Sequence, residues 1–526
     1  MQNPSAHEST GLQSQPPPEE QNYGATEAHE RQGPFVSVSR NRPAKRGYLT
    51  VGVLCYANLI NFMDWFIVPG ESLFPLSKEK ENSRQFYLFL TFILCYMVAA
   101  PFFGYLGDRY NRKIILGAGI FFWSAVTLGT SFISESYHWM FFLSRGLVGI
   151  GTASYSTVAP TIIADQFDEG KRTTMLSVFY ICIPVGSGLG YVLASSMANV
   201  TGDWHWAFRV SYSLSLMGVL LSLEILDSAH RHILTSHSFK FSHFFLLTFS
   251  CSFVWSTLGL TAMAFVTGAL GMWVPMFLYR AQVVQGTVSP CAEKSCNSSN
   301  SLIFGGITIG TGILGVVAGA EAARRLRKIN NRGDPLICAT SMFVSALCLF
   351  IALMMAQRSI TSTFIFIALG ELFLSANWAV VTDILLYVVT PRRQSTAIAL
   401  QILVSHLLGD AGSPYLVGAV SEFSWSFRSL QYSFIICVFV GVIGGGFFLL
   451  TSFYVEDDRK EAEKYSYRKG QITIPPYGRK SCVLTFLDAF DCESKIAAEL
   501  AYGSPPSICK TGMSILWSWG APEGRV

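Results

Sequence analysis

Apolar stretches of roughly 20 to 28 residues recur along this 526-residue chain, each with few or no charges inside it. Each is long enough to cross a hydrocarbon core about 30 Å thick. A soluble helix would show a polar stripe opposite its apolar one, and these stretches show none. Charged residues make up 14% of the chain and hydrophobic residues 51%, whereas an average soluble domain carries about 25% charged residues. Lipid is therefore the expected solvent for most of the chain. Twelve spans are predicted, at about 49–70, 86–106, 113–133, 138–163, 173–198, 205–226, 246–279, 302–326, 336–356, 362–389, 394–420 and 430–455. The fold class is an all-α membrane protein with twelve transmembrane helices.

Residues 1–46 are rich in Pro, Gln, Glu and Ser and lack both the basic start and the apolar core of a signal peptide. They are expected to form a disordered tail, which leaves the first span as its own insertion signal. Placing that tail in the cytoplasm puts about 21 Lys and Arg in or beside inner segments and about 7 outside, the asymmetry that orients membrane proteins. Both termini are then cytoplasmic, including a second tail at 456–526. The net charge of +4 is accounted for by this asymmetry, so no nucleic-acid partner is expected. Asn199-Val-Thr and Asn297-Ser-Ser are glycosylation sequons, and both fall in predicted outer loops. Cys291 and Cys296 share one of those loops, as a disulfide or as two free thiols. The twelve cysteines show no metal-ligand spacing, so neither a metal nor a cofactor is expected.

Six spans (47–226) precede a polar, His-rich linker (227–243), read as a solvated cytoplasmic connector, and six follow it (244–455). This count suggests two repeated six-helix bundles around a midplane site. Between the second and third spans lies "GYLGDRYNRK", residues 104–113, which matches the signature loop of the major facilitator superfamily. Gly104 and Gly107 permit close helix approach, Asp108 can pair with an arginine or cap a helix, and Arg109, Arg112 and Lys113 hold the loop in the cytoplasm. Such a charged latch forms in one conformation and breaks in another; a loop that merely sets topology has similar composition. "GAEAARRLRK", residues 319–328, is a weaker second copy without the Asp-Arg pair.

The segments "GYLGDRYNRK", "IPVGSGLGY", "GDWHWAFRV", "NWAVVTDILLYVV" and "LLGDAGSPYL" together resemble the spinster family of lipid transporters across nearly all of residues 47–455. The resemblance implies the major facilitator fold and, as cargo, single-chain lipids such as sphingosine 1-phosphate or lysophospholipids. It also implies a plasma or endolysosomal membrane. Two departures stand out. Family members usually carry an arginine after the first-span aspartate, where this chain has Trp65, and a glutamate in the fourth-span glycine motif, where it has Thr152. Losing both removes one charge of each sign, so a coupling cycle built on them does not carry over.

Polar residues inside apolar spans generally face a bundle interior or a wet cavity. Asn58, Asn61, Asp64, Tyr96, Arg145, Thr152, Tyr155, Asn377, His406 and Asp410 are the candidate substrate or coupling residues. Arg145 is a candidate for an anionic head group or for helix fastening. His406 and Asp410, four residues apart on one helix face, could carry a coupling proton or form a structural pair. Glu371 and Asp383 are expected to brace the tenth span. The expected function is alternating-access transport of a lysolipid or sphingoid phosphate by a monomer in the membrane, with protons as the candidate coupling ion. Facilitation of a small organic anion or amine and a non-transporting scaffold or receptor are the alternatives. No GxSxG elbow, HExxH pair or Walker loop marks an enzyme.

Overall fold

A chain in lipid has no water to satisfy its backbone, so each crossing segment must close its own hydrogen bonds as a helix. The computed structural model describes residues 44–67, 78–133, 137–201, 205–225, 250–288, 298–391, 393–422 and 427–467, and every regular element among them is helical. The first group comprises α1 (Ala44–Ile67), α2 (Lys78–Arg109), α3 (Arg112–Thr130), α4 (His138–Gln166), α5 (Glu169–Thr201) and α6 (His205–Ile225). The second comprises α7 (Cys251–Val284), α8 (Ser298–Arg327), α9 (Gly333–Met355), α10 (Ile360–Ser375), α11 (Asn377–Val388), α12 (Gln394–Ser405), α13 (Gly412–Glu422) and α14 (Phe427–Tyr467). A single π-helical turn, His406–Asp410, joins α12 to α13.

Among the described residues, ten helical segments are long and apolar enough to cross a membrane: α1 to α5, α7 to α9, the α10–α11 pair and α14. Helix α6 and the interrupted α12–π–α13 rod occupy the positions of the sixth and eleventh expected spans. Helix α14 runs past the expected end at 455 to Tyr467, so the first residues of the second tail are helical. Cys291, Cys296, Asn297, the linker at 227–243 and the remainder of both tails lie outside the described residues, and Asn199 falls in the last turns of α5.

Packing within the first group runs α1 on α5 and α6, α2 on α4, and α3 on α4 and α6. Within the second it runs α7 on α14, α9 on α10 and α14, and α8 on α10. Small residues let these helices approach closely, since lipid offers no hydrophobic drive of its own. At Gly186 a Cβ would stand 2.4 Å from the Leu59 carbonyl oxygen, so α5 and α1 touch backbone to backbone there. The groups meet mainly along α5–α8 and α2–α12. At the start of α7, the Ser252 N–H donates to Asp458 Oδ2 of α14 at 2.9 Å.

Candidate functional site

Helix α2 ends and α3 begins within a few residues of each other, and Asn111 starts α3 by accepting the Lys113 N–H at 3.0 Å. This short turn aims Asp108 at the amino end of α12. Its carboxylate accepts the Ser395 N–H (3.0 Å), the Thr396 N–H (2.9 Å) and the Thr396 hydroxyl (2.7 Å). The first N–H groups of a helix have no partner within it, and its dipole is positive there, so a carboxylate is the natural cap. Gly104 and Gly107 make that reach possible. A Cβ on Gly104 would lie 2.4 Å from Ala399 Cβ, and one on Gly107 would lie 2.9 Å from Val158 Cγ2. Arg112 donates to Gly107 O (2.9 Å) and Asp165 (2.8 Å) and approaches Asp108 at 3.4 Å. Arg109 is exposed and lies over the Tyr105 ring at 4.4 Å, while Lys113 contributes its backbone N–H to the cap on Asn111. Gly104, Gly107 and Asp108 thus form one contact across the two groups, which Arg112 braces from within the first. Between α11 and α12, burial pushes the Arg393 guanidinium below its ordinary value, and the nearby Asp108 carboxylate pulls it back up.

A second polar contact joins the groups along α5 and α8. Asp383 of α11 is fully buried and accepts Arg172 Nε (2.6 Å), the Thr173 hydroxyl (2.5 Å) and Arg327 Nη2 (2.8 Å). Arg327 also pairs with Asp334 of α9 at 2.6 Å. Helices from both groups therefore converge on one carboxylate. The sequence predicts Asp383 as a brace and does not tell that Arg172 and Arg327 meet it. The signal was the basic cluster at 319–328, the repeat counterpart of the first loop: its missing aspartate is supplied from elsewhere in the chain.

The intramembrane residues divide by helix face. Asn58 donates to Phe179 O of α5 at 2.9 Å, and Thr152 of α4 donates to Asn61 Oδ1 at 3.2 Å. Asp64 accepts Trp123 Nε1–H and the Thr127 hydroxyl at 3.1 Å each and the Ser211 hydroxyl at 3.2 Å, from α3 and α6. Its three nearest donors are neutral, and the charge it acts on is Arg145. Arg145 is only 3% exposed, with its guanidinium 5.0 Å from the Phe208 ring and 5.6 Å from the Phe141 ring. Its Nε and Nη2 are buried without hydrogen-bond partners. Tyr155 donates to Leu54 O at 2.7 Å. In the second group, Asn377 accepts the Ser341 hydroxyl at 2.6 Å where α10 gives way to α11. Glu371 accepts the hydroxyls of Thr308 and Thr311 from α8. These residues do not form one site.

Four others do meet, where α1, α2 and the π-helical turn come together. One residue step around a helix is about 100°, so Trp65 points away from the Asp64 cluster. Its ring lies 4.5 Å from Phe92, 5.7 Å from Tyr96 and 6.3 Å from His406. Tyr96 lies edge-on to His406 at 5.1 Å and donates its hydroxyl to Ser156 Oγ at 2.9 Å. His406 Nδ1 approaches Asp410 Oδ2 to 2.7 Å, with the oxygen off the line of a hydrogen bond. The seam between the groups is thus aromatic on the α1–α2 side and carries an imidazole–carboxylate pair on the other. Among the described residues, no cluster of three His, Cys, Asp or Glu could hold a metal ion.

Comparison with known proteins gives these contacts a context. The Major Facilitator Superfamily model matches residues 54–354. Protein spinster homolog 3 of Mus musculus is 49% identical over 477 residues, covering 86% of this chain and 92% of that protein. Protein spinster homolog 1 of Bos taurus is 50% identical over 466 residues, covering 83% and 88%. Among solved structures, a bacterial homolog of the human lysosomal transporter Spinster, inward-facing and occupied, aligns with TM-score 0.55 at 16% identity over 80% of this chain and 99% of that one. A proton:xylose symporter aligns with TM-score 0.62 at 15% identity, covering 77% and 96%. At such identities these two show the fold alone.

Proposed function

This chain belongs to the spinster family of the major facilitator superfamily, and on that premise we propose that it carries single-chain lipids, lysolipids or sphingoid phosphates, across a plasma or endolysosomal membrane by alternating access. It is a multi-pass membrane transporter. In this reading twelve helices form two six-helix bundles, with both termini cytoplasmic, and the monomer rocks about the seam between them. The observation that carries it is the Asp108 carboxylate of α2 capping α12 across that seam. A carboxylate on backbone N–H groups is strong enough to hold one state, yet it breaks without leaving the charge unsolvated, because this end of the protein faces water. The Asp383 cluster is its partner on the α5–α8 side, and both are latches of the cytoplasm-closed state. The lipid head group lies against Trp65, Tyr96, His406 and Asp410, and the tail lies along apolar walls. His406 with Asp410 is the proposed proton-coupling pair. Asp64 and Arg145, surrounded by α3, α4 and α6, hold the first bundle together and transmit its motion.

The test is flux of a panel of labelled lysolipids into vesicles containing the purified protein. Cargo-dependent flux that falls in Asp108→Ala is expected. Flux of soluble amines or anions in place of lipids would favour a small-molecule facilitator. Tight ligand binding without any flux would make the protein a receptor, a reading to which the loss of the family's Arg and Glu at Trp65 and Thr152 lends weight.

A further inference from the structure

Helices α1 and α5 lie side by side in a fixed register. Gly186 stands against the Leu59 carbonyl oxygen and Gly190 against that of Met63, where an added Cβ would lie at 2.5 Å. The pairing advances one turn on both helices together. One turn back on each come Cys55 and Cys182. Their thiols hydrogen-bond one another, and both side chains are partly buried. A disulfide needs Cα atoms within about 4.4–6.8 Å, a separation that neighbouring helices reach where small residues let their backbones touch. The glycine ladder supplies that approach. On the same turn, the Asn58 amide donating to Phe179 O at 2.9 Å holds the register.

The place of this pair matters for motion. Pro184, two residues on, has no N–H for the Tyr180 carbonyl, so α5 bends most easily there. Around that point lie contacts to the second group. The Tyr180 hydroxyl shares a hydrogen bond with Thr382 Oγ1 at 2.7 Å and its ring stacks on Trp378, while Pro184 abuts Gly312 and Gly188 abuts Ile309. Parting the groups along this seam asks α5 to shift against α1 at the level of the two thiols. A thiol pair gives way to such a shift, and a covalent bond does not.

We propose that Cys55 and Cys182 form a reversible disulfide on exposure to peroxide, tying α1 to α5 beside Pro184 and arresting transport, because the register of the two helices sets their thiols face to face. Hydrogen peroxide, small and uncharged, is the oxidant. One sulfur attacks the O–O bond, giving a sulfenic acid and one water, and the other sulfur displaces the sulfenic oxygen as a second water. The two thiols lose two electrons and two protons in all, which the peroxide takes up, and an external dithiol reverses the step by exchange. The proposal rests on the alternating-access reading above and not on which cargo is carried.

The experiment treats the full-length protein in vesicles with hydrogen peroxide, removes the excess with catalase, alkylates the remaining thiols and maps the peptides by mass spectrometry. The peptides holding Cys55 and Cys182 should appear joined, lighter than their reduced sum by two hydrogens. Flux of whatever solute the parent carries, lipid or soluble, is measured on the same vesicles, so that failure of the lipid reading leaves this test intact. Flux should fall at least about tenfold on oxidation and return with dithiothreitol. Cys55→Ser and Cys182→Ser should each keep the untreated flux and lose the response. Cys182→Ser is also the background on which any engineered cross-link of the seam has to be built. Both thiols found alkylated after peroxide, or a joined pair with flux unchanged, overturns the proposal. So does a loss of flux that persists in both single variants or resists dithiothreitol, which would place the oxidation elsewhere or beyond the disulfide.

Discussion

Asp64 and Trp65 are adjacent in the chain and part company in space. The first is enclosed by Trp123, Thr127 and Ser211, and the second faces Tyr96 and His406. Replacing Asp64 by Leu would strand three donors and leave Arg145 without its compensating charge. Each buried unsatisfied group costs about 1–3 kcal/mol, so Asp64→Leu should lower the thermal midpoint of the purified protein sharply. An unchanged midpoint would mean the cluster is not holding the helices. Which way each side chain points was not legible beforehand. A helix that is apolar all round has no polar face to give its rotation, so Asn58, Asn61, Asp64 and Trp65 could be placed at membrane depth but not on a face. The Trp65 departure itself was legible, since it is a change of letter within a matched motif.

At the scale of elements, the contacts that matter are those where helices from the two groups touch without room to spare. Gly104 lies against Ala399 and Ser395 of α12. Gly104→Val would overpack that crossing, a change that costs about 1–3 kcal/mol, and only in the state where α2 and α12 are together. On the proposed orientation, the mutant should populate the cytoplasm-open state about ten- to a hundredfold more, read as faster labelling of a single cysteine at position 395 by a membrane-impermeant thiol reagent added to that side. Equal labelling rates would remove Gly104 from the latch. That this loop carries closely packed residues was legible because they are contiguous and its glycines regularly placed. The Asp383 cluster was not, because Arg172 and Asp383 are 211 positions apart and nothing in a single sequence pairs them. The π-helical turn was equally hidden: "SHLLGDAGSP" contains no proline before Pro414 and reads as continuous helix, while the turn places His406 toward Tyr96. Such turns are often found at functional sites.

For the whole molecule, the proposed latch and the Asp383 cluster belong to one conformation, in which Asp108 meets α12. A Cβ on Gly107 would stand 3.2 Å from Ser395 Cβ, close to the separation of about 3.8 Å that a disulfide spans. The double variant G107C and S395C should therefore cross-link on oxidation, stop lipid flux, and recover it on reduction. Cross-linking that leaves flux intact would show that this contact does not open during the transport cycle. The membrane class could be reasoned from hydropathy alone, because the bilayer imposes it on any sequence; the seam's chemistry depends on tertiary contacts and could not. One such contact has a consequence for synthesis. At the amino end of α7, Asp458 of α14 accepts the Ser252 N–H beside the Ser250 cap, and α14 packs along α7. Ribosomes release α7 into the membrane long before α14 exists. During that interval the Ser252 N–H lacks its Asp458 acceptor, although Ser250 still caps the helix, and one flank of α7 is bare, open to chaperones and quality-control factors that sample half-built proteins. A nonsense mutation between the end of α7 and the start of α14 would leave the nascent protein permanently in that condition, however many of its earlier helices had inserted correctly.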